Sequence, residues 1–343
     1  MGLRISILCT DGSPLGVTLK DLWGEGNRGI GIGGSEYALL TMCEEWHKAG
    51  HEVILYNNPM TTNGSPFEQR NISSFDPNED RDVLIVFRSP SPRSLAAKGL
   101  KVWFSCDQET IGDFAHFATT VHKIVCISPR HAQYFAERYK IHNTTVIDIP
   151  VRIGDFDTLE EVEKIKNRLI FTSVPARGLD NLIKIYPEIQ KAIPDVSLAI
   201  TSDYRLWGCP ASNEHFRSKW LSQSNVQFFG ALPRIKYLEE LMKAQIFLYQ
   251  CEYDELFCVS CSEAQYAGAY PITSNAGALP TTNMGTVLEG DVKIMGKYFV
   301  DVVVNMLKDP EGLKRAQDNI KQKAKDRFNP ERILKEWDKV FGG

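Results

Sequence analysis

The sequence predicts an α/β protein made of two doubly wound, parallel-sheet domains. Its 343 residues are enough for two domains that each bury a core. Short apolar segments alternate with helical ones through both halves of the chain, which is typical of parallel strands joined by helical crossovers. The composition, with 43% hydrophobic and 24% charged residues, is that of an ordinary folded protein.

The first half contains six predicted strands and two predicted helices. The helix over residues 36–49 has apolar residues at helical spacing and can end at Gly50. Ser128 before Pro129 is typical of a helix start, and this second helix runs to about residue 140. Residues 11–34 and 57–81 are predicted to be long loops. The predicted strands cover residues 3–9, 52–56, 83–87, 101–104, 123–127 and 144–149.

The same alternation starts again after a charged linker over residues 155–168, which includes a short entry helix. Asn329 and Pro330 begin a last helix with an apolar stripe that must be buried. We therefore expect Rossmann-like domains at residues 1–154 and 155–328, with the helix of residues 329–343 packing back on the first. The predicted strands of the second half are 169–173, 196–201, 226–229, 246–249 and 270–273, and its helices are 181–192, 237–244 and 260–267.

Charge and cysteine content limit the partners. The formal net charge of −4 gives no electrostatic reason to expect a nucleic-acid partner. No run of about 18 apolar residues is present, so membrane association should be peripheral at most. Scattered cysteines in apolar segments, with no charged leader before the first strand, predict a cytoplasmic protein. The oligomeric state is not predicted.

The first candidate ligand site is the glycine-rich run of residues 29–36, which stands directly before the first helix. Ligands of doubly wound sheets bind at the carboxyl ends of strands, so we expect a site in a cleft between the domains. Gly33 and Gly34 let the backbone approach a ligand closely, and N–H groups at a helix start favour an anion. A flexible loop tip without a ligand is the alternative interpretation.

The second candidate is Arg177, which precedes Gly178 after the first strand of the second domain. An arginine at the carboxyl end of a strand suits a bidentate grip on phosphate oxygens. A solvated loop arginine is the alternative interpretation of this segment.

The third candidate is the segment of residues 255–264, which carries two carboxylates around a predicted helix start. Glu255 lies just outside the helix and Glu263 one turn inside, so one carboxylate can reach a sugar hydroxyl and the other a ribose. The N–H groups of the first turn point at a phosphate. Ser260 and Glu263 equally fit a capping box, which needs no ligand. The residues of the turn are Leu256, Phe257, Cys258 and Val259.

The sequence has no motif that is typical of a metal site or of a hydrolase. Cys258 and Cys261 form a single CxxC, and a zinc site would need two further ligands that no second CxxC or paired histidines supply. HExxH and G-x-S-x-G motifs are absent from the sequence. We therefore predict no metal and no other cofactor.

Taken together, these motifs resemble the retaining GT-B glycosyltransferases of family four, the group 1 glycosyl transferases. The run from Glu255 to Pro271 is similar to their E-x7-E signature, and residues 33–36 to their N-terminal glycine loop. Residues 225–230 and 277–280 resemble a strand and a donor-side turn of the family. The resemblance extends over the whole chain and implies two facing domains, an acceptor-side domain followed by a domain that binds the nucleotide sugar.

The resemblance also implies roles for the matching residues. Glu255 would contact the transferred sugar, Glu263 the ribose and Arg177 the diphosphate. Where the family pairs an arginine with a lysine, this chain has only Arg177. Cys106-Asp107 stands where a His-Asp pair is common, so Asp107 is the expected catalytic residue on the acceptor side. The backbone amides expected to support the sugar and phosphates are those of Gly33, Gly34, Phe257 and Cys258.

The implied reaction is transfer of a sugar from a nucleoside diphosphate to a saccharide or other hydroxyl acceptor, with retention and without a metal. The leaving phosphate itself would take the proton of the acceptor. Neither the base, the sugar, the acceptor nor the linkage is predicted. Two alternatives stay open: a GT-B sugar-nucleotide epimerase and a non-catalytic protein that binds nucleotide sugars.

Overall fold

The computed structural model describes residues 2–10, 16–26, 28–61, 64–159, 162–221 and 223–342. The chain divides into two compact units. The first unit comprises Met1–Asn27, Ile32–Pro150 and Pro330–Gly343, and the second comprises Arg28–Gly31 and Val151–Asn329. Each unit has one parallel sheet with helices of its own.

The first unit has a seven-stranded parallel sheet. Its strands are β1 (Arg4–Leu8), β2 (Glu52–Tyr56), β3 (Glu68–Arg70), β4 (Val83–Phe87), β5 (Leu100–Phe104), β6 (Lys123–Cys126) and β7 (Thr144–Val146). They lie in the order β3-β2-β1-β4-β5-β6-β7, so strand order reverses between β1 and β4. The carboxyl ends of these two strands therefore mark the usual ligand position of a doubly wound sheet. The helices are α1 (Leu19–Trp23), α2 (Gly34–Lys48), α3 (Phe114–Ala118) and α4 (Pro129–Tyr139).

The predicted elements of the first half are all present, but the two predicted loops are wrong in part. α1 lies within 11–34, and β3 lies within 57–81. β3 is short and polar, and its Gln69 side chain donates to Asn57 Oδ1 and Val17 O, both at 3.0 Å. Because hydrogen bonds rather than apolar alternation stabilise this strand, its sequence carries no strand signal. Residues 11–15, 27 and 62–63 of these loops lie outside the described residues.

Aromatic packing fixes the end of β4 in the first unit. The Trp103 ring on β5 lies 4.9 Å from the Phe114 ring and 5.3 Å from the Phe135 ring, centroid to centroid. The Nε1–H of Trp103 donates to the carbonyl of Arg88 at 3.0 Å. The core thus holds the first residue after β4 in place.

The second unit has a six-stranded parallel sheet in the order β10-β9-β8-β11-β12-β13. Its strands are β8 (Arg168–Phe171), β9 (Ser197–Ile200), β10 (Val226–Phe228), β11 (Ile246–Tyr249), β12 (Tyr270–Ser274) and β13 (Thr286–Leu288). Strand order reverses between β8 and β11. Its helices are α5 (Ile153–Asp157), α6 (Leu179–Ala192), α7 (Glu214–Leu221), α8 (Arg234–Lys243), α9 (Val259–Tyr266), α10 (Leu279–Thr282), α11 (Gly296–Lys308) and α12 (Pro310–Arg327).

The predicted elements of the second half are present with small shifts at their ends. The structure adds α7, α10, β13, α11 and α12, which the sequence patterns did not predict. The entry helix predicted between residues 155 and 168 is α5, which begins two residues earlier.

Handedness determines which face of the second sheet each helix covers, because crossovers between parallel strands are right-handed. α6 and α7 lead from β8 to β9 and from β9 to β10, toward one edge, so they cover one face. α8 and α9 lead toward the opposite edge and cover the other face. Consistently, α6 contacts α11, and α9 contacts both α8 and α12. The carboxyl end of this sheet thus has an α6 side and an α9 side.

The last helix, α13 (Pro330–Phe341), belongs to the first unit. The Trp337 ring lies 5.1 Å from the Trp46 ring of α2 and 5.0 Å from the Phe104 ring of β5. Ile333 and Trp337 are buried. The apolar stripe of this helix is therefore part of the core of the first unit.

Candidate active site

The loops after β8 and β11 meet at the carboxyl end of the second sheet, where strand order reverses. Gly178, with φ +115°, packs on the backbone that follows β11, and a Cβ there would lie 2.3 Å from Gln250 O. Only glycine fits such an approach at this φ. The contact brings Arg177 alongside the residues that follow β11.

Arg177 and Glu255 form an ion pair at this point. Arg177 Nη1 lies 3.1 Å from Glu255 Oε1, and the Glu255 side chain is 7% exposed. The Tyr249 hydroxyl donates to the same oxygen at 2.6 Å and lies 3.2 Å from Ser173 Oγ. Burial, and next the Glu255 charge, raise the pKa of Tyr249 well above its usual value, so the phenol stays a donor. Glu255 therefore has a fixed orientation.

The Arg177 side chain retains capacity for an anion. Its Nε is buried without a hydrogen-bond partner among the described residues, and the side chain is 28% exposed. Burial lowers the pKa of Arg177, but the Glu255 carboxylate opposes this, and the pKa is above its usual value. The Arg177 guanidinium also lies over the Tyr253 ring, 4.0 Å from its centroid. The cation is held in place and stays charged, as phosphate binding requires.

Helix α9 begins at Val259, one residue before the predicted range of 260–267, and no side chain caps it. Its N-cap residue, Cys258, has φ +74°, a conformation that costs a non-glycine residue about 1–2 kcal/mol. Ser260 is the second residue of the helix, and its Oγ lies 3.5 Å from Cys258 Sγ. The capping-box interpretation of Ser260 and Glu263 is therefore wrong, since Ser260 is not at the N-cap.

Gly277 supports the turn before α9. A Cβ at Gly277 would lie 2.2 Å from both the N and the O of Glu255, and its φ is +57°. The next residue, Ala278, donates its N–H to Glu255 O at 2.6 Å. Leu256 and Phe257 are buried, so their side chains are not exposed to a ligand. The turn is thus held by backbone packing.

Glu263 is buried on the α9 side and has protein partners. Its Oε2 accepts from the Tyr237 hydroxyl at 3.1 Å, and its Oε1 lies 2.6 Å from Arg234 Nη2, within ion-pair distance although without hydrogen-bond geometry. Arg234 Nε in turn donates to Asp155 Oδ2 at 2.8 Å, as does Arg152 Nε at 2.9 Å. Four buried charges therefore alternate in sign, and Glu263 is held by this network.

The remaining predicted residues lie at the carboxyl end of the first sheet. Gly33 is the N-cap of α2, and a Cβ there would lie 2.7 Å from Glu36 Oε2. Gly34 is the first residue of the same helix. Asp107, after β5, pairs with Arg88 Nε, and its carbonyl lies 3.1 Å from His131 Nε2. Arg88 follows β4 with φ +66°, which orients its side chain at this edge.

Sequence reasoning missed Arg88, Tyr249 and Arg234. Arg88 directly follows β4 and Tyr249 is the last residue of β11, both at the carboxyl end of a sheet. Arg234 is the first residue of α8. These positions at the ends of strands and helices were the only signal in the sequence. Cys258 and Cys261 are buried free thiols, and burial raises the pKa of both. Within the described ranges, no group of three or more histidine, cysteine or acidic residues could hold a metal ion.

Comparison with solved structures identifies the fold. The glycosyltransferase from Rickettsia africae ESF-5 aligns over 99% of this chain and 98% of its own, with a TM-score of 0.71 at 14% identity. Anabaena HepE, in complex with UDP and glucose, aligns over 99% of both chains with a TM-score of 0.69 at 14% identity. Sucrose-phosphate synthase from Thermosynechococcus elongatus aligns over 98% of both, with a TM-score of 0.70 at 13% identity. The chain has the GT-B fold.

A family model adds sequence evidence to the GT-B fold. Residues 161–323 match the model described as Glycosyl transferases group 1. The matched residues are just under half of the chain, so this region resembles those glycosyltransferases in sequence. No curated protein matches the sequence. Arg177, Glu255 and Glu263 lie in the matched region, whereas Gly33, Gly34 and Asp107 lie outside it.

Among the described residues of this GT-B chain, no helix is long and apolar enough to cross a membrane.

Proposed function

We propose that the chain is a retaining glycosyltransferase that moves a sugar from a nucleoside diphosphate to a hydroxyl of a saccharide or other acceptor, without a metal ion. The observation that carries this proposal is the Arg177–Glu255 pair beside the uncapped N-terminus of α9, in a chain with the GT-B fold. A cation next to a helix N-terminus favours the binding of a diphosphate, which is an anion. The complex of Anabaena HepE with UDP and glucose supports this donor class.

In this proposal each charged group has one task. Arg177 and the N–H groups of residues 256–259 bind the diphosphate, and Glu255 accepts hydrogen bonds from the hydroxyls of the transferred sugar. Glu263 binds the ribose. A carboxylate offers about four acceptor positions, and Tyr237 and Arg234 use only part of them. Glu263 therefore keeps acceptor capacity for a ribose hydroxyl.

The chemical step breaks the bond between the anomeric carbon and the oxygen of the β-phosphate. The acceptor oxygen bonds to the anomeric carbon on the same face, and its proton passes to the departing phosphate oxygen. Arg177 and the α9 N-terminus stabilise the charge that develops on the diphosphate, which is the task a metal ion has in other transferases. Asp107 serves the acceptor side, and the amides of Gly33 and Gly34 support the sugar and phosphates of the donor.

We also propose a cytoplasmic location. All eight cysteines are free thiols and seven are buried, which supports a reducing compartment.

The test uses sugar nucleotides labelled in the sugar, with and without a panel of methyl glycosides and oligosaccharides as acceptors. Release of nucleoside diphosphate should depend on acceptor, and the product should keep the anomeric configuration of the donor. EDTA should leave the rate unchanged. Arg177→Ala and Glu255→Gln should lose turnover, whereas Arg315→Ala, which removes an exposed arginine on α12, should not.

Other outcomes contradict the proposal. Conversion of the labelled sugar nucleotide into its epimer without release of diphosphate would indicate an epimerase. Saturable binding of the sugar nucleotide with no product for any acceptor would indicate a binding protein. An inverted product would reject the retaining mechanism.

A further inference from the structure

Two exposed aromatic rings flank Arg177, and the reaction proposed above uses neither. Tyr253, two residues before Glu255, is 40% exposed, and Trp207, in the loop after β9, is 53% exposed. The Arg177 guanidinium carbon lies 4.0 Å from the Tyr253 ring centroid and 5.9 Å from that of Trp207. We call Trp207 and Tyr253 the aromatic pair. Tyrosine and tryptophan are enriched at binding interfaces, because their rings combine an apolar body with a polar group.

The loop that carries Trp207 is braced. The buried Asp203 carboxylate accepts two hydrogen bonds of 2.8 Å from Arg205, one from the backbone N–H and one from Nε. Arg205 Nη2 also donates to Ala231 O at 2.9 Å, and Asn213 Oδ1 accepts from Tyr204 N at 2.9 Å. Trp207 is therefore presented by a pre-organised loop, which is what a binding surface needs.

The aromatic pair lies on the α6 side of Arg177. The residue before Tyr253, Glu252, accepts a hydrogen bond at 3.2 Å from Asn181 of α6. The chain that follows Trp207 leads into α7, whose Lys219 lies 3.4 Å from Asp180 of α6. Glu263, the proposed ribose ligand, lies on the opposite side, between α8 and α9. The proposed ribose position is therefore separate from the aromatic pair.

The surroundings of the two rings fit a sugar better than an apolar partner. Glu252, next to Tyr253 in the chain, is paired with exposed Lys293 at 3.7 Å, and Asp180 of α6 with Lys219 of α7 at 3.4 Å, so carboxylates and ammonium groups lie on the α6 side of Arg177. A pyranose has an apolar C–H face that covers an aromatic ring and a rim of hydroxyls that bond to such groups. A peptide or lipid chain would instead desolvate these charges.

We propose that the aromatic pair is a binding subsite for a sugar ring of the acceptor, and that the acceptor is accordingly a saccharide. This inference rests on the proposed function, because the assignment of the nucleoside to the α9 side comes from it. It names the acceptor class and two residues that select it.

The test begins with a printed array of defined saccharides, probed with the full chain in the presence of a saturating nucleoside diphosphate. The saccharide retained most strongly is then titrated in solution, by equilibrium dialysis and by tryptophan fluorescence. Trp207→Ala should weaken saccharide binding about tenfold, whereas Trp207→Phe, which keeps a flat ring, should weaken it less than threefold. The fluorescence change of the wild type should vanish in Trp207→Phe although binding persists. Tyr298→Ala, at an exposed tyrosine of α11, should change neither signal.

Nucleoside diphosphate binding separates this inference from the proposed function. Trp207→Ala should keep the wild-type affinity for nucleoside diphosphate, within about twofold. If the variant loses that affinity and the wild type retains no saccharide, the rings only hold Arg177, and the inference is overturned while the donor site stands. Equal saccharide binding by Trp207→Ala and the wild type also overturns it. Failure of the wild type to bind any nucleoside diphosphate overturns the proposed function itself.

Discussion

Replacing Arg177 tests the proposed diphosphate contact, because its effect should depend on which part of the nucleotide is present. The side chain has an unpartnered buried Nε among the described residues and a guanidinium fixed against Glu255 and Tyr253. One charge-assisted hydrogen bond contributes about 1.5–3 kcal/mol. Because the Arg177 side chain is 28% exposed, solvent screens part of this interaction, and we expect a contribution near the lower end of that range. Arg177→Ala should therefore raise the Kd for a nucleoside diphosphate roughly tenfold to thirtyfold.

The same substitution should leave the Kd of the matching nucleoside within about twofold, since a nucleoside has no phosphate. Isothermal calorimetry with the nucleoside, its monophosphate and its diphosphate measures the three affinities, using the base that stabilises the wild type most in a thermal scan. Arg177→Lys keeps the charge but not the planar fork, so its Kd for the diphosphate should fall between those of the wild type and the alanine variant.

Two controls keep this experiment interpretable. Arg315→Ala removes a positive charge from α12 without touching the site and should change none of the affinities. Urea unfolding of Arg177→Ala shows whether the fold survives the loss of the partner of Glu255. A folded variant that binds nucleoside and diphosphate with equal losses, or with none, would refute the phosphate role of Arg177.

Three further predictions follow from buried groups. Glu263→Ala should abolish stabilisation by nucleoside diphosphate in thermal scans. It should itself lower the free energy of unfolding by about 3–5 kcal/mol, because it removes one of the two carboxylates paired with buried Arg234 and leaves a buried positive charge uncompensated. Glu263→Gln, which keeps the shape, separates the two effects, and a wild-type Tm shift in this variant would reject the ribose role. Burial lowers the pKa of His131 to about 3, below its usual 6.5, so its contribution to stability is complete above pH 6.5 and is lost as pH falls toward 3. In urea titrations, the free energy of unfolding of the wild type should fall by about 2 kcal/mol more than that of His131→Asn between pH 7 and pH 5. An equal dependence on pH in the two proteins would contradict the assignment. Trp337→Ala should cost about 3–5 kcal/mol in the same assay, because its ring is fully buried against Trp46 and Phe104, and a cost under about 1 kcal/mol would contradict that packing.

The strands other than β3 and β13 could be predicted because their sequences are short apolar runs between turn residues. β11 is such a run, and its predicted ends are those of the structure. The polar strand β3 could not be found this way, since its burial depends on side-chain hydrogen bonds. α12 did carry a signal, because Leu313, Ile320 and Ala324 are spaced on one helical face, but the charged residues between them conceal it.

Candidate site residues were easier to predict where parallel strands bring them together. Arg177 and Glu255 follow β8 and β11, and adjacent parallel strands end at one edge, so their contact follows from topology. Tyr249 could not be distinguished from a core residue, because only its hydroxyl takes part. Arg234 is identified only by its contacts with Glu263 and Asp155, which come from α9 and α5.

The start of α9 shows why the sequence alone left two interpretations of residues 255–264 open. A capping box requires the serine to be the N-cap. Ser260 lies two residues after the N-cap, so the capping box does not form. Cys258 takes the N-cap position with φ +74°, a conformation that sequence patterns assign to glycine. Residues outside the helix stabilise this backbone conformation, because Gly277 and Ala278 pack against Glu255 and fix the turn that leads to Cys258. The helix therefore starts without a side-chain cap, four residues after Glu255, and in the proposed function an anionic group binds its first N–H groups in place of the cap.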